Sequence, residues 1–356
     1  MNNFIIIQNS VRTTFIFRSG YIKELLKYGT VTVIAPNDDH KAKGKLEEMG
    51  VTVEKISTNR ILSVIQMNLI ITKKRLQGAV FICHFLVSFL LCYITLVPFN
   101  RKLVIYTEGL GSIFSNSTFL QSVLRFFLVN NSAVRLFCNK SERELVGKKS
   151  DIVTNGIGVD LAKFKKKMNN VSGNPYQLLF VGRLISDKGV KDAIEAFRII
   201  ISKRRDVKLI LVGDIYPNNP TSLTFGDIEL LKKEFGSYIS FVSFTETILD
   251  WYNCADILLL PSRREGFPVC VMEASSVGLP TVGFDVAGVR DAIKSGVNGQ
   301  LVDYGDIDGL AKTIDSLLST QTLSSYIDRS TDYAKKNFCN KEKNSQLVSI
   351  LLNLCK

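Results

Sequence analysis

Histidine is scarce in this chain, with only His40 and His84 among 356 residues, and its seven cysteines form no C-x-x-C pair. Scattered cysteines fit a reducing cytoplasm better than a disulfide framework or a zinc site, whose ligands recur at short spacing. The opening MNNFIIIQNS has no basic start ahead of its apolar run and no cleavage site. It reads as a first β-strand rather than a secretory signal. Helix-turn-helix, zinc-finger and aromatic RNP-like motifs are also missing, which argues against a nucleic-acid partner.

What is there is apolar and unevenly charged. Hydrophobic residues make up 46% and charged ones 22%, enough to bury a large core. At roughly 100–200 residues per domain, the length suggests two domains. Residues 1–170 hold 24 Lys and Arg against 11 Asp and Glu, whereas the rest holds 21 against 22. The excess positive charge therefore lies in the first half. An anionic lipid surface or a phosphorylated acceptor would answer that field, and so would a merely basic, solvated surface.

Short apolar runs alternate with helical spacing through the second half. Strands are expected at Gln177–Val181, Val207–Val212, Ile239–Val242, Asp256–Leu260 and Thr281–Phe284, and a helix at about Pro268–Val277. Asp306 is expected to cap a further helix, so Asp306-Ile-Asp308 is read as a cap and not as a D-x-D metal motif. The first half repeats the pattern, with strands at Phe4–Gln8, Thr30–Ala35, Val51–Ile56 and Lys102–Tyr106 and a helix at Tyr21–Tyr28. Ala79–Val97 is almost continuously apolar, but His84 interrupts it, and we read a strand followed by a buried helix, Leu86–Leu96. Such alternation implies an α/β architecture of doubly wound parallel sheets, with ligands outside the carboxyl ends of the strands. The expected division is 1–165, 166–335 and a last helix over 336–356 that packs back on the first domain. The linker is expected over Asn155–Gly173, with Lys163, Lys165, Lys166, Lys167, Asn169, Asn170, Ser172 and Gly173.

Two loops carry the chemistry. In Pro261-Ser-Arg-Arg-Glu-Gly-Phe-Pro-Val-Cys-Val-Met-Glu273, a buried strand gives way to a helix. Gly266 and Pro268 suit the turn, and the helix start would face a ligand phosphate. A carboxylate repels phosphate but accepts hydrogen bonds from sugar hydroxyls. Glu273 is therefore expected on a ribose and Glu265 on a transferred sugar, with a diphosphate between them. In Val181-Gly-Arg-Leu-Ile-Ser-Asp-Lys-Gly189, Arg183 and Lys188 are placed to meet that diphosphate and the charge growing on it.

These loops, with LILVGD at residues 209–214 and Tyr252-Asn-Cys-Ala-Asp-Ile-Leu-Leu-Leu-Pro-Ser262, resemble family 4 of the retaining GT-B glycosyltransferases over Gln177–Leu310. Glu265 and Glu273 match that family's E-x7-E pair. The resemblance implies the GT-B fold, two Rossmann-like domains facing across a cleft. It implies a nucleotide-sugar donor site from Arg183, Lys188, Glu265 and Glu273, with Gly266, Phe267, Pro268 and Val269 near the diphosphate and Ser243 and Phe244 near the base. It also implies no metal and no cofactor.

Phe15-Ile-Phe-Arg18, Tyr106-Thr-Glu-Gly-Leu-Gly-Ser-Ile-Phe114 and Thr154-Asn-Gly-Ile-Gly-Val-Asp-Leu-Ala-Lys-Phe164 are similar to a narrower branch that extends polyprenyl-diphosphate-linked sugars for O-antigen, capsule or glycoprotein glycans. That resemblance places Arg18 and the loop Glu108, Gly109, Leu110, Gly111 on the acceptor side, with His84 as a second candidate there or a packed core residue. It implies a UDP-linked hexose or N-acetylhexosamine donor; the basic first half and the apolar Ala79–Val97 run lead to the expectation of a cytoplasmic chain held peripherally at an anionic membrane face. The chain departs from the family in two places. Gln8-Asn-Ser-Val-Arg-Thr-Thr14 stands where a glycine-rich loop is common, and Glu108 where a histidine is common. Four other readings stay open: a GDP-mannose transferase, an epimerase of the same architecture, a glycosidase using Glu265 and Glu273 as acid and base, and a sugar-nucleotide binding module.

Overall fold

The computed structural model describes residues 2–57, 59–97, 101–111, 114, 117–166, 175–245 and 247–356. Lys167, Asn169, Asn170, Ser172 and Gly173 of the expected linker lie outside them. The chain divides into two compact units, Met1–Ile157 with Asn340–Lys356, and Gly158–Cys339.

The first unit is built on β1 (Asn2–Ile7), β2 (Gly29–Ile34), β3 (Thr52–Glu54), β4 (Val80–His84), β5 (Leu103–Thr107), β6 (Val134–Phe137) and β7 (Ile152–Val153). Their spatial order is β3-β2-β1-β4-β5-β6-β7, and every pairing is parallel. β4 and β5 are buried at every position, as strands covered by helices on both faces must be. The run after β4 forms two short helices, Leu86–Leu91 and Tyr93–Leu96, joined at Cys92. No helix among the described residues is long and apolar enough to cross a membrane. The first helix spans Val11–Leu25 and so starts well before the expected Tyr21. Its buried face includes Thr14 and Arg18 beside Val11, and those polar positions hide the apolar period in the sequence. The last helix, Asn340–Asn353, belongs to this unit and meets the first helix where Gly20 faces Asn344.

The second unit is built on β8 (Tyr176–Val181), β9 (Val207–Val212), β10 (Ile239–Val242), β11 (Ile257–Leu260), β12 (Thr281–Phe284) and β13 (Gly299–Val302). The order is β10-β9-β8-β11-β12-β13, again all parallel. Its core joins the sheet to the helices Val190–Lys203 and Ile307–Leu317 through Phe197, Ile200, Leu310 and Ile314. Asp306 caps the second of these helices by accepting from the Gly309 N–H at 2.8 Å. In each sheet the order reverses once, between β1 and β4 and between β8 and β11. Ligand sites of doubly wound sheets lie at such points, outside the carboxyl ends of the strands.

Candidate functional site

In the second unit, the reversal brings the loop after β8 against the loop after β11. Lys188 Nζ lies 2.7 and 2.8 Å from the two carboxylate oxygens of Glu265, and the buried Ser262 donates its hydroxyl to the same carboxylate at 2.9 Å. Lys188 keeps more exposure than Glu265, 27% against 10%, so the ammonium presents its outer side to solvent. A second pair, Arg264 with Asp187 at 2.5 Å, ties the same two loops, as does the Arg263 N–H to the Asp187 carbonyl at 3.0 Å.

Glycine makes these approaches sterically possible. A Cβ on Gly189, at φ +75°, would sit 1.8 Å from the Pro261 carbonyl oxygen. One on Gly288, at φ +77°, would sit 2.2 Å from the carbonyl oxygen of Glu265. Neither position admits another residue without moving backbone. The helix Val269–Ser276 starts just after Pro268, and no side chain caps it.

Glu273 lies in that helix and is partly buried. The buried Tyr252 donates its hydroxyl to Glu273 Oε2 at 2.8 Å. Burial pushes the Glu273 carboxyl up to about 7, against the opposing pull of the Tyr252 hydrogen bond and of Lys163. Tyr252 packs edge-on to Phe164, with ring centres 6.3 Å apart. Arg183 is exposed at the carboxyl end of β8, its guanidinium over the Tyr216 ring at 5.4 Å and not on either glutamate. Ser243 and Phe244 follow β10, where the Phe244 N–H donates to Asp214 at 3.0 Å.

In the first unit, the reversal gathers Arg18, His84 and Glu108, and adds Tyr21. Arg18 Nη2 is paired with Glu108 Oε2, His84 Nδ1 lies 2.7 Å from Glu108 Oε1, and the Tyr21 hydroxyl lies 2.9 Å from His84 Nε2. Burial alone would push the Glu108 carboxyl up, but the Arg18 guanidinium and His84 outweigh it and hold it below the usual range. Burial and the nearby Arg18 charge lower His84 to about 4, leaving a neutral imidazole. An ionised carboxylate only accepts, so His84 donates from Nδ1 and accepts the Tyr21 proton at Nε2. Arg18 and His84 are buried, at 4% and 0% exposed. Phe85, directly after His84, holds φ +69°, a costly conformation for a bulky residue.

Gly109 and Gly111 both have positive φ, and the Leu110 N–H between them donates to Glu142 at 2.9 Å. Arg18, Tyr21 and Tyr106 also line a cavity of about 520 Å³, closed on another side by Lys343, Leu347 and Ile350 of the last helix. The start of the first helix is already occupied: Asp38 accepts from the Val11 and Arg12 N–H groups at 2.8 and 3.2 Å. That carboxylate fills the place where a glycine-rich loop would present bare amides to a phosphate.

The sequence motifs thus reach the two reversal points, and the structure adds Tyr21, Ser262, Tyr252, Asp38 and Gly288. Of these, Tyr252 and Ser262 lay inside the quoted run Tyr252–Ser262, and Gly288 lay within the span Gln177–Leu310 of the family resemblance. Asp38 and Tyr21 carried no local signal, because their partners are 27 and 63 residues away in sequence.

Residues 175–320 match the family described as Glycosyl transferases group 1. Among curated proteins, the chain is 27% identical over 165 residues to the capsular polysaccharide biosynthesis glycosyltransferase CapM of Staphylococcus aureus, covering 46% of this chain and 42% of CapM. It is 29% identical over 253 residues to N,N'-diacetylbacillosaminyl-diphospho-undecaprenol alpha-1,3-N-acetylgalactosaminyltransferase of Campylobacter jejuni, covering 64% of this chain and 63% of that one. The chain therefore spans about half the length of the curated relatives it matches. Among solved structures, Anabaena Alr3699/HepE in complex with UDP superposes with a TM-score of 0.77 at 18% identity, covering 99% of this chain and all of that one. The fold is GT-B, with two parallel-sheet, Rossmann-like domains.

Proposed function

We propose, on the premise that residues 175–320 are a Glycosyl transferases group 1 domain, that this chain transfers a sugar from a nucleotide diphosphate donor to a saccharide acceptor in surface-polysaccharide synthesis. The observation that carries the reading is the Lys188–Glu265 pair at the reversal of the second sheet, beside an uncapped helix start. A cation and a helix start there suit a diphosphate, and the carboxylates suit sugar hydroxyls. In this reading Lys188 leaves Glu265 for the diphosphate when donor binds, and Glu265 turns to the transferred sugar. Glu273, fixed by Tyr252, takes the ribose hydroxyls, and Ser243 and Phe244 border the base. Arg183, held on Tyr216 in the free chain, swings to the leaving phosphate.

The donor is a UDP-sugar and the acceptor a polyprenyl-diphosphate-linked saccharide. Support for the first is the UDP bound by the HepE structure, and for the second the undecaprenol-linked substrate in the name of the Campylobacter relative. Transfer retains the anomeric configuration. The acceptor oxygen bonds to the anomeric carbon on the face from which the diphosphate leaves, the glycosidic C–O bond to that diphosphate breaks, and a leaving phosphate oxygen takes the acceptor proton. Arg183, Lys188 and the start of the Val269–Ser276 helix neutralise the charge that develops on the diphosphate. No residue of the chain forms a bond to the sugar, and no metal or cofactor enters. On the acceptor side, Arg18, His84 and Glu108 hold the loop Glu108–Gly111 in place.

The test is a screen of UDP- and GDP-sugars with a lipid-diphosphate saccharide, read by product mass and linkage. An α-linked product from a UDP-α-sugar supports the reading. Turnover with GDP-mannose alone would replace the donor, sugar interconversion without acceptor would make the chain an epimerase, and release of sugar from a glycan without nucleotide would make it a hydrolase.

A further inference from the structure

The first helix, Val11–Leu25, and the last, Asn340–Asn353, frame the cavity of about 520 Å³ in the first unit. The two helices touch where a Cβ on Gly20 would come within 2.3 Å of Asn344 Nδ2. Beside that contact they leave a gap floored by the sheet, through Tyr106 of β5, Leu136 of β6 and Ile152 of β7. Protein interiors hold few voids larger than one water, whose share of liquid volume is about 30 Å³. Sites for small molecules run from about 300 to 1,000 Å³ and set a few polar groups in apolar walls. The cavity matches them in size and in make-up.

Tyr21, Tyr106, Leu136 and Leu347 form its inner wall, and all four are buried. Phe17 and Ile152, each 41% exposed, carry the apolar lining out to solvent. Two cations reach the same space. Arg18 is 4% exposed, and while its Nη2 pairs with Glu108, its Nε is buried without a hydrogen-bond partner. Lys343 enters from the last helix, its Nζ donating to the Thr154 carbonyl. Among the described residues that line the cavity, none is acidic.

These features select a ligand by exclusion. A free sugar would set its hydroxyls against an apolar wall, and a pure hydrocarbon would leave the Arg18 Nε–H unsatisfied, each a polar group buried without a partner. A molecule with an apolar body and one anionic end meets both demands. Nε has a single N–H to give, which one carboxylate oxygen can take, whereas a diphosphate calls for several donors. We infer that this cavity binds a single-chain carboxylate, a fatty acid whose head lies at Arg18 and Lys343 and whose chain runs along Tyr106, Leu136 and Leu347 toward Phe17 and Ile152.

The site stands apart from the transfer reaction, and its test needs neither donor nor acceptor. The full chain is titrated in a calorimeter with octanoate, decanoate, decanol and geranyl diphosphate, each below its micelle concentration. Decanoate is expected to bind one to one, about tenfold more tightly than octanoate because two further methylenes leave water. Decanol, which keeps the chain and loses the charge, and geranyl diphosphate, which keeps a ten-carbon body and enlarges the anion, should each bind at least tenfold more weakly. Lys343→Met, which removes the second cation, and Ile350→Trp, which fills the cavity from the last helix, should each weaken decanoate tenfold or more. The assignment is overturned if decanoate does not bind, if decanol matches it, or if both variants bind it as the parent does. Tighter binding of geranyl diphosphate also overturns it, and makes the cavity part of a lipid-diphosphate site. Hydrogen exchange of the unaltered chain with decanoate gives a reading that does not depend on the variants folding. Protection of Val11–Leu25 and Asn340–Asn353 supports the site. Protection confined to Arg60–Leu76 and Thr118–Val129, where Leu69 and Phe119 are exposed, would mark adsorption on an outer surface and overturn it.

Discussion

The two sheets reverse in the same way, yet their reversal points are in opposite electrostatic states. In the first unit Arg18, His84 and Tyr21 are linked in one hydrogen-bonded chain through Glu108, with Arg18 Nε left buried without a partner, and Asp38 closes the start of the neighbouring helix. In the second, Lys188 and Arg183 remain accessible, the helix start after Pro268 has no side-chain cap, and Glu273 accepts from Tyr252. Topology thus provides the same place twice, and side chains decide whether that place is filled internally or left for a ligand. The first is a rigid wall whose charges are already matched. The second holds charge in reserve, at the cost of a carboxyl that burial pushes up.

The comparison breaks most visibly at Glu108. Replacing it by Ala leaves the Arg18 guanidinium buried without its partner, and we expect a loss of about 3–5 kcal/mol in urea unfolding. The half-buried counterpart, Lys188→Ala, leaves Glu265 the Ser262 hydroxyl, so it should cost less stability than Glu108→Ala, and it should cut turnover by roughly 10²–10³, about 2.7–4 kcal/mol, if Lys188 acts as one donor to the developing charge. Unchanged turnover in the purified variant removes Lys188 from the mechanism.

Acid sharpens the contrast. His84 is held at about 4 in the folded chain, against an ordinary 6.5. Between those values the unfolded chain binds a proton that the folded chain refuses, so stability falls as pH drops from 6.5 toward 4, by roughly 3 kcal/mol at most. Glu108, held below its ordinary range, adds a loss of the same sign at lower pH. Thermal melting of the parent and of His84→Gln across that range measures it, and equal slopes would refute the assignment.

Glu273 runs the other way. Its carboxyl at about 7 means the folded chain keeps a proton that the unfolded chain releases above 4.5, so stability declines as pH rises from 4.5 to 7. If Glu273 takes the ribose as proposed, the hydroxyls favour its ionised form, and nucleotide affinity should rise severalfold from pH 6 to 8. Glu273→Gln should flatten that profile in calorimetric titration. The smallest effect is expected at Tyr252→Phe, which keeps the ring against Phe164 and removes the donor to Glu273. Nucleotide binding should weaken several-fold, and the Glu273 titration should move further up.

Much of this was legible in advance because the relevant signals are local. Val207–Val212, Ile239–Val242 and Thr281–Phe284 are short apolar runs bounded by turn residues, and they form strands with those limits. Asp306 signals its helix by position alone. The first helix was harder to read because its inward positions include Thr14, whose hydroxyl donates to the Ser10 carbonyl, and Arg18, whose partner Glu108 lies 90 residues away in sequence. The exposed apolar face of the first unit was illegible for a related reason. The apolar run at Ala79–Val97 drew attention to one segment, but β4 and Phe89 are buried, and the exposed area extends to the helices Arg60–Leu76 and Thr118–Val129.

By itself the sequence determined the alternation of strands and helices, the imbalance of charge between the halves, and the two loops that bear Arg183, Lys188, Glu265 and Glu273, because periodicity, glycine placement and charge are properties of neighbouring residues. Only the tertiary structure decided that Lys188 meets Glu265, that His84 is a neutral link between Tyr21 and Glu108, and which apolar side chains face outward. Those outcomes depend on strand order and burial, which bring together residues up to 90 positions apart and set the dielectric in which their charges act.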